Sequence, residues 1–188
     1  MNIFSKILED SLNKNKYLSI WIYSDEETFW CGKIISFTNE IITFQHYTKY
    51  GKKDGIIFIE LSQIKNIDFD DEYTKSIAYV IENSERIARE NPIDLTIIND
   101  DNWKIEILNQ LNKKTTFISS IKVYGDYYSG FIIEVDEDSF VLKCIDTLGI
   151  DQGLSMFRIE DITEFKLNDI DNRKRFLLYN WRKSLQIT

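Results

Sequence analysis

Apolar residues recur along this chain with two periods. Phe4, Leu8 and Leu12 stand four apart, one face of a short amphipathic helix. Beyond them the spacing shortens to alternation, predicting strands over about 18–23, 29–37, 40–44 and onward, 56–61 and 65–69. Helical spacing then returns in Tyr73, Ile77, Val80, Ile81, Ser84, Ile87 and Ala88, until Asn91-Pro92 breaks it. The same succession follows again. Trp103, Ile107 and Leu111 predict a helix, with Asp100, Asp101 or Asn102 as its cap. Strands are expected over 118–124, 127–135, 139–145, 154–159 and 163–167, then a helix carrying Phe176, Leu177, Trp181 and Leu185. Residues 93–98 read either as a stray strand or as a connector.

Glycine positions tie the two halves together. Gly32 and Gly130, Gly51 and Gly149, and Gly55 and Gly153 are each 98 apart, which places six of seven glycines in one offset. The run Gly32-Lys-Ile-Ile-Ser-Phe37 matches Gly130-Phe-Ile-Ile-Glu-Val135, and Ile42 and Phe44 match Phe140 and Leu142. Upstream the offset slips slightly, and the first copy has about three extra residues, Glu26 to Thr28, in its first hairpin turn. The expectation is an internal duplication with domains 1–91 and 92–188, each a helix, five strands and a second helix. Five short antiparallel strands expose no edges if they close, so each unit is expected to be a small barrel.

Composition narrows the chemistry. The 188 residues hold two cysteines, Cys31 and Cys144, and one histidine, His46. That excludes a disulfide framework and every site needing several imidazoles. No phosphate-binding glycine loop and no GxSxG turn is present. Net charge is −8, spread as −5 over the first 94 residues and −3 over the remainder, so neither half is a basic module. No apolar run is long enough to cross a bilayer and no signal peptide pattern opens the chain, which predicts a cytoplasmic protein without a membrane partner. No cofactor, metal site or catalytic residue is expected.

A helix, then I-x-I/V, a turn, G-x-I-x-x-F/V, a polar tip, F-x-L and a late I-x-x-I together resemble the Sm/LSm small β-barrel. SH3-like and PRC-type barrels share much of this pattern. The resemblance implies a mainly β fold with flanking helices: two tandem five-stranded Sm-like or SH3-like barrels. It also implies association edge to edge. Sm proteins hold RNA through an aspartate and an asparagine between the second and third strands, and an Arg-Gly pair between the fourth and fifth. Asp136 matches the aspartate, but the first copy has Thr38 there, and Ile42 and Phe140 stand near the asparagine position. Leu61-Ser-Gln-Ile64 and Ile159-Glu-Asp-Ile162 replace the Arg-Gly pair. The resemblance thus implies the fold and not the RNA pocket.

Four aromatics on or beside the first hairpins, Trp21, Trp30, Tyr127 and Tyr128, form the candidate interaction surface. Arg173, Lys174, Arg175, Arg182 and Lys183 make the last helix basic, with Tyr179 and Trp181 among them, and are the candidate nucleic-acid contacts. His46 shares a strand face with Ile42 and Phe44 and reads as a structural residue. The acidic clusters at Asp25–Glu27, 68–72 and 136–138 read as solvated turns. The function expected is a non-enzymatic protein-interaction or assembly module of bacterial type, with homo-oligomerisation through barrel edges. An acidic inhibitor of a basic toxin or nuclease is one version, and RNA binding through the last helix or an unfamiliar barrel face is the alternative.

Overall fold

The computed structural model describes residues 2–90, 92–97 and 100–186, without the side chains of 25–27 and 100. The protein is mainly β with flanking helices, and the chain forms two compact units, Met1–Ser84 and Glu85–Thr188.

The first unit runs α1 (Ile3–Asn13), β1 (Leu18–Ile22), β2 (Asp25–Phe37), β3 (Ile41–Tyr47), β4 (Lys53–Glu60), β5 (Ile64–Phe69) and α2 (Glu72–Glu82). Its antiparallel sheet has the order β4-β3-β2-β1-β5. Asn2 caps α1 by accepting from Ser5 N, and Asp71 caps α2 by accepting from Thr74 N. Leu8 of α1 joins Leu18, Ile20, Ile34, Ile42, Phe44, Ile59 and Ile64 in the core. Residues 26–28 are absorbed as an irregularity of the β1–β2 ladder, where Trp21 pairs with Phe29 but Ile22 pairs with Asp25.

The second unit begins with the short α3 (Ser84–Ala88), most of which belongs to it. Then come α4 (Trp103–Leu111), β6 (Ser119–Val123), β7 (Asp126–Val135), β8 (Ser139–Ile145), β9 (Asp151–Arg158), β10 (Ile162–Leu167) and α5 (Ile170–Leu185). The sheet order, β10-β6-β7-β8-β9, is that of the first unit. Outside the first hairpin the bulges also agree. The β2–β3 ladder skips a residue between Ile34 and Ser36, and β7–β8 between Ile132 and Glu134. The β3–β4 and β8–β9 ladders each skip one, at His46 and at Cys144. Ile107, Leu108 and Leu111 of α4 pack with Ile121, Ile132, Phe140 and Leu142 on one side of the sheet. Phe176 and Tyr179 of α5 pack with Ile118, Phe131 and Ile145 on the other.

Two expectations are corrected. The sheets are not closed into barrels: β4 and β5 are the two edges of the first, β9 and β10 those of the second, and no ladder joins them. The bulges bend each sheet until both edges reach one core, as Ile59 and Ile64 show by sharing a cluster. Yet the single 3-10 turn at Leu61–Gln63 directs its backbone groups elsewhere. Leu61 N–H goes to Glu40 O at 2.8 Å and Gln63 O accepts from Tyr23 N at 3.0 Å, so the chain crosses from edge to edge without pairing them.

The helix expected from Tyr73 to Ala88 is divided into α2 and α3. It breaks at Asn83, whose side-chain Nδ2 donates to Tyr79 O at 2.9 Å and so competes with the helix for that carbonyl. Asn91, the expected break point, lies outside the described residues. Pro92 to Ile97 form no strand; Leu95 packs against the second core, and Thr96 exchanges two hydrogen bonds with the Gln110 side chain. Ile98 lies outside the described residues. Asn102 takes the cap position of α4 without a side-chain hydrogen bond.

Candidate functional site

Side chains alternate between faces along a strand, so an edge strand presents one row inward, one row outward and one side of unpaired backbone. On β4 the inward row includes Ile57 and Ile59, both packed with the first core. The outward row holds Ile56 and Phe58, exposed by 54% and 71%. On β9 the outward row holds Leu154 and Met156, each 66% exposed. These are the same positions: residues 56 and 58 plus the offset of 98 that relates the glycines. Ile41, beside β4 on β3, adds to the first row.

The opposite edges differ. β5 presents Lys65, Asn66 and Asp68, and β10 presents Thr163, Glu164 and Lys166. Charges along an edge discourage a further strand, whereas apolar rows do not.

The aromatic candidates stand on inner strands and in different units. Trp21 on β1 donates Nε1–H to Asp68 Oδ2 at 2.6 Å and packs against Phe29, which packs in turn against Tyr73 of α2. Trp30 on β2 packs against the first core and meets the His46 ring edge-on. Tyr127 on β7 lies beneath the ammonium groups of Lys122 and Lys166, 5.4 and 3.9 Å from its ring centre. Tyr128 packs on Phe157 of β9.

Three arginines of α5 are tied to backbone carbonyls. Arg173 Nε donates to Ile87 O at 2.7 Å, and its Nη1 donates to Asn168 O. Arg175 Nε reaches Asp146 O at 3.0 Å, and Arg182 Nε reaches Leu148 O at 2.7 Å. Burial lowers the pKa of Arg175 from its ordinary value. Lys174, also engaged, and Lys183 stand among them on the same helix.

His46, Cys31 and Asp136 are each engaged by neighbouring groups of their own unit. His46 Nδ1 lies 3.0 Å from Cys31 O, and its Nε2 lies 3.7 Å from Asp54 Oδ2, linking β3 to β2 and β4. Burial pushes the Cys31 thiol up to about 12, against the small opposing pull of the Ser19 hydroxyl, so the thiolate nucleophile is suppressed. Asp136 accepts from the backbone N–H of Asp138 and Ser139, and these bonds lower its pKa. Among the described residues no helix is long and apolar enough to cross a membrane.

The fold thus defines a mainly β protein with two open five-stranded antiparallel sheets of one topology. Comparison with protein-family models, curated proteins and solved structures returned no match.

Proposed function

We propose that this protein is a non-enzymatic assembly module built of two Sm-like units from one internal duplication, and that it associates with copies of itself by strand addition at β4 and β9. The observation that carries this reading is the paired outward row, Ile56 with Phe58 and Leu154 with Met156, on unpaired edges in both units. Strand addition supplies main-chain hydrogen bonds, and alternate side chains supply the apolar contact. The Sm-like reading draws support from the order β4-β3-β2-β1-β5, the leading helix and the 3-10 link between the last two strands. Matching bulges and capping aspartates, Asp71 and Asp169, support the duplication. Two free cysteines suit a reducing, cytoplasmic setting.

Light scattering coupled to size exclusion tests it. A discrete oligomer is expected for the native chain, and Phe58→Lys with Met156→Lys should shift it to a smaller species that keeps the native circular-dichroism spectrum. A native chain that stays monomeric up to about 100 μM, where even weak association becomes visible, sinks the reading.

A further inference from the structure

The second unit holds a cavity of about 340 Å³ between α3 with the residues after it, the segment leading into β6, and α5. That volume lies near the lower end of the range of about 300–1,000 Å³ typical of small-molecule sites. Its lining joins two chemistries. Arg86, Arg89 and Arg173 face it with a single carboxylate, Glu85, an excess of positive charge on a chain whose net charge is −8. Phe117 and Phe176 supply an aromatic wall.

Arg173 is preorganised. Its bonds from Nε to Ile87 O and from Nη1 to Asn168 O fix the guanidinium plane, and its Nη2 has no protein partner among the described residues. The Arg89 side chain likewise has no partner there, and it is exposed. A guanidinium offers a planar fork of N–H donors that matches phosphate and carboxylate oxygens.

The first unit lacks this arrangement. The positions of Phe117 and Asn168 are taken there by Lys16 and Asp70, which close on each other at 2.6 Å, and Phe176 is replaced by Ala78. Nor does the first unit have a counterpart of α3. The cavity is therefore an addition to the second unit and is not a by-product of the shared topology.

The geometry points to a binding site for a small aromatic oxyanion, an aryl or heterocyclic phosphate or carboxylate, with its oxyanion on Arg86 and Arg89 beside Arg173 and its ring on Phe117 and Phe176. Titration calorimetry with phenyl phosphate, benzoate and inorganic phosphate, with amide shifts of Thr116, Phe117 and Asn180 followed by NMR, tests this assignment. Saturable binding of phenyl phosphate or benzoate that is tighter than that of inorganic phosphate is expected, and the tighter of the two identifies the oxyanion. Arg86→Ala with Arg89→Ala should weaken it about tenfold or more, since each removes charge-assisted donors. Both residues are exposed, so an unchanged melting temperature shows that the fold is intact. Three results overturn the proposal: no saturable binding up to about 10 mM, equal affinity for inorganic phosphate, or affinity indifferent to the arginine changes.

Discussion

Arg175 and Asn172 meet inside the second unit, where Arg175 Nη1 donates to Asn172 Oδ1 at 3.1 Å. The same oxygen accepts from Ser120 Oγ at 2.7 Å, which lies 2.7 Å from Ser129 Oγ. Asn172 Nδ2 donates to Lys166 O and Asp169 Oδ2. One amide therefore joins α5 to β6, β7 and β10. The first unit places Thr74, Ile77, Ser19 and Cys31 at the positions of Asn172, Arg175, Ser120 and Ser129, a smaller and less polar set.

Replacing Asn172 by Leu should destabilise the second unit by about 1–3 kcal/mol, because the buried Ser120 hydroxyl and a half-buried guanidinium lose their acceptor. Thr74→Val in the first unit should cost less than Asn172→Leu, since Thr74 Oγ1 bonds only within its own cap, to Asp71. Denaturant titration of each variant decides between these outcomes; equal losses contradict the difference drawn between the units.

Glycine substitutions should sort by the space around them. A Cβ at Gly130 would lie 1.8 Å from Lys143 O, and one at Gly149 would lie 2.4 Å from Tyr179 N with φ already at +76°. Gly153, at φ +87°, has nothing within 4 Å. Gly130→Ala and Gly149→Ala are expected to cost about 3 kcal/mol or more, through forced backbone movement. Gly153→Ala should cost about 1 kcal/mol, for the left-handed conformation alone. Unfolding midpoints in urea give the ranking.

These glycines also mark what could be read from the chain. Their common offset reflects shared close approaches and turns, so it exposed the repeat; alternation located the ten strands, and the 139–145 strand agrees at both ends with the structure. The edge strands begin earlier than alternation suggests, at Lys53 and Asp151, because polar residues on an outer strand leave no apolar signature. Closure was not legible, since pairing of the edges depends on how far the bulges bend the sheet. The outward pair Ile56 and Phe58 was visible only as apolar content; which face it occupies depends on register. The arginines of α5 were legible as charge, while their acceptors, Ile87, Asp146 and Leu148, lie far away in sequence. Arg86 and Arg89 gave no signal, because only the fold brings them to Phe117 and Phe176.

The first unit should be the more sensitive to alkali. Burial raises the Cys31 thiol from 9.0 to about 12, and Tyr17 and Tyr73 from 10.0 to about 12. A group with a raised folded pKa holds its proton more tightly when folded, so its contribution is fully present below the unfolded pKa. It is lost as pH rises through the folded pKa. Stability should therefore fall from about pH 9, as Cys31 ionises in the unfolded chain, and more steeply above 10 as the tyrosines join. Each group contributes at most about 1.4 kcal/mol per pH unit. Cys31→Ser with Tyr73→Phe should flatten the decline, which melting curves between pH 8 and 11 would reveal; an unchanged slope refutes the assignment.

The basic helix yields a prediction that separates structure from nucleic-acid binding. Arg182 donates to Leu148 O at 2.7 Å from a half-buried position, whereas Lys183 is exposed. If the helix's charges serve the fold, Arg182→Ala should lower the stability of the second unit by about 1 kcal/mol, the scale of one such bond near solvent. Lys183→Ala should stay within about 0.5 kcal/mol. If they serve RNA instead, the two substitutions should weaken RNA retention by similar factors and flatten its salt dependence, each removing one phosphate contact. Thermal melts and retention on an RNA column at graded salt therefore give opposite patterns. Arg173 sharpens the contrast, because its bond to Ile87 O anchors the segment after α2 to α5. Arg173→Ala should expose the buried Ile87 and raise amide exchange over residues 85–90, an effect that loss of a phosphate contact alone does not produce.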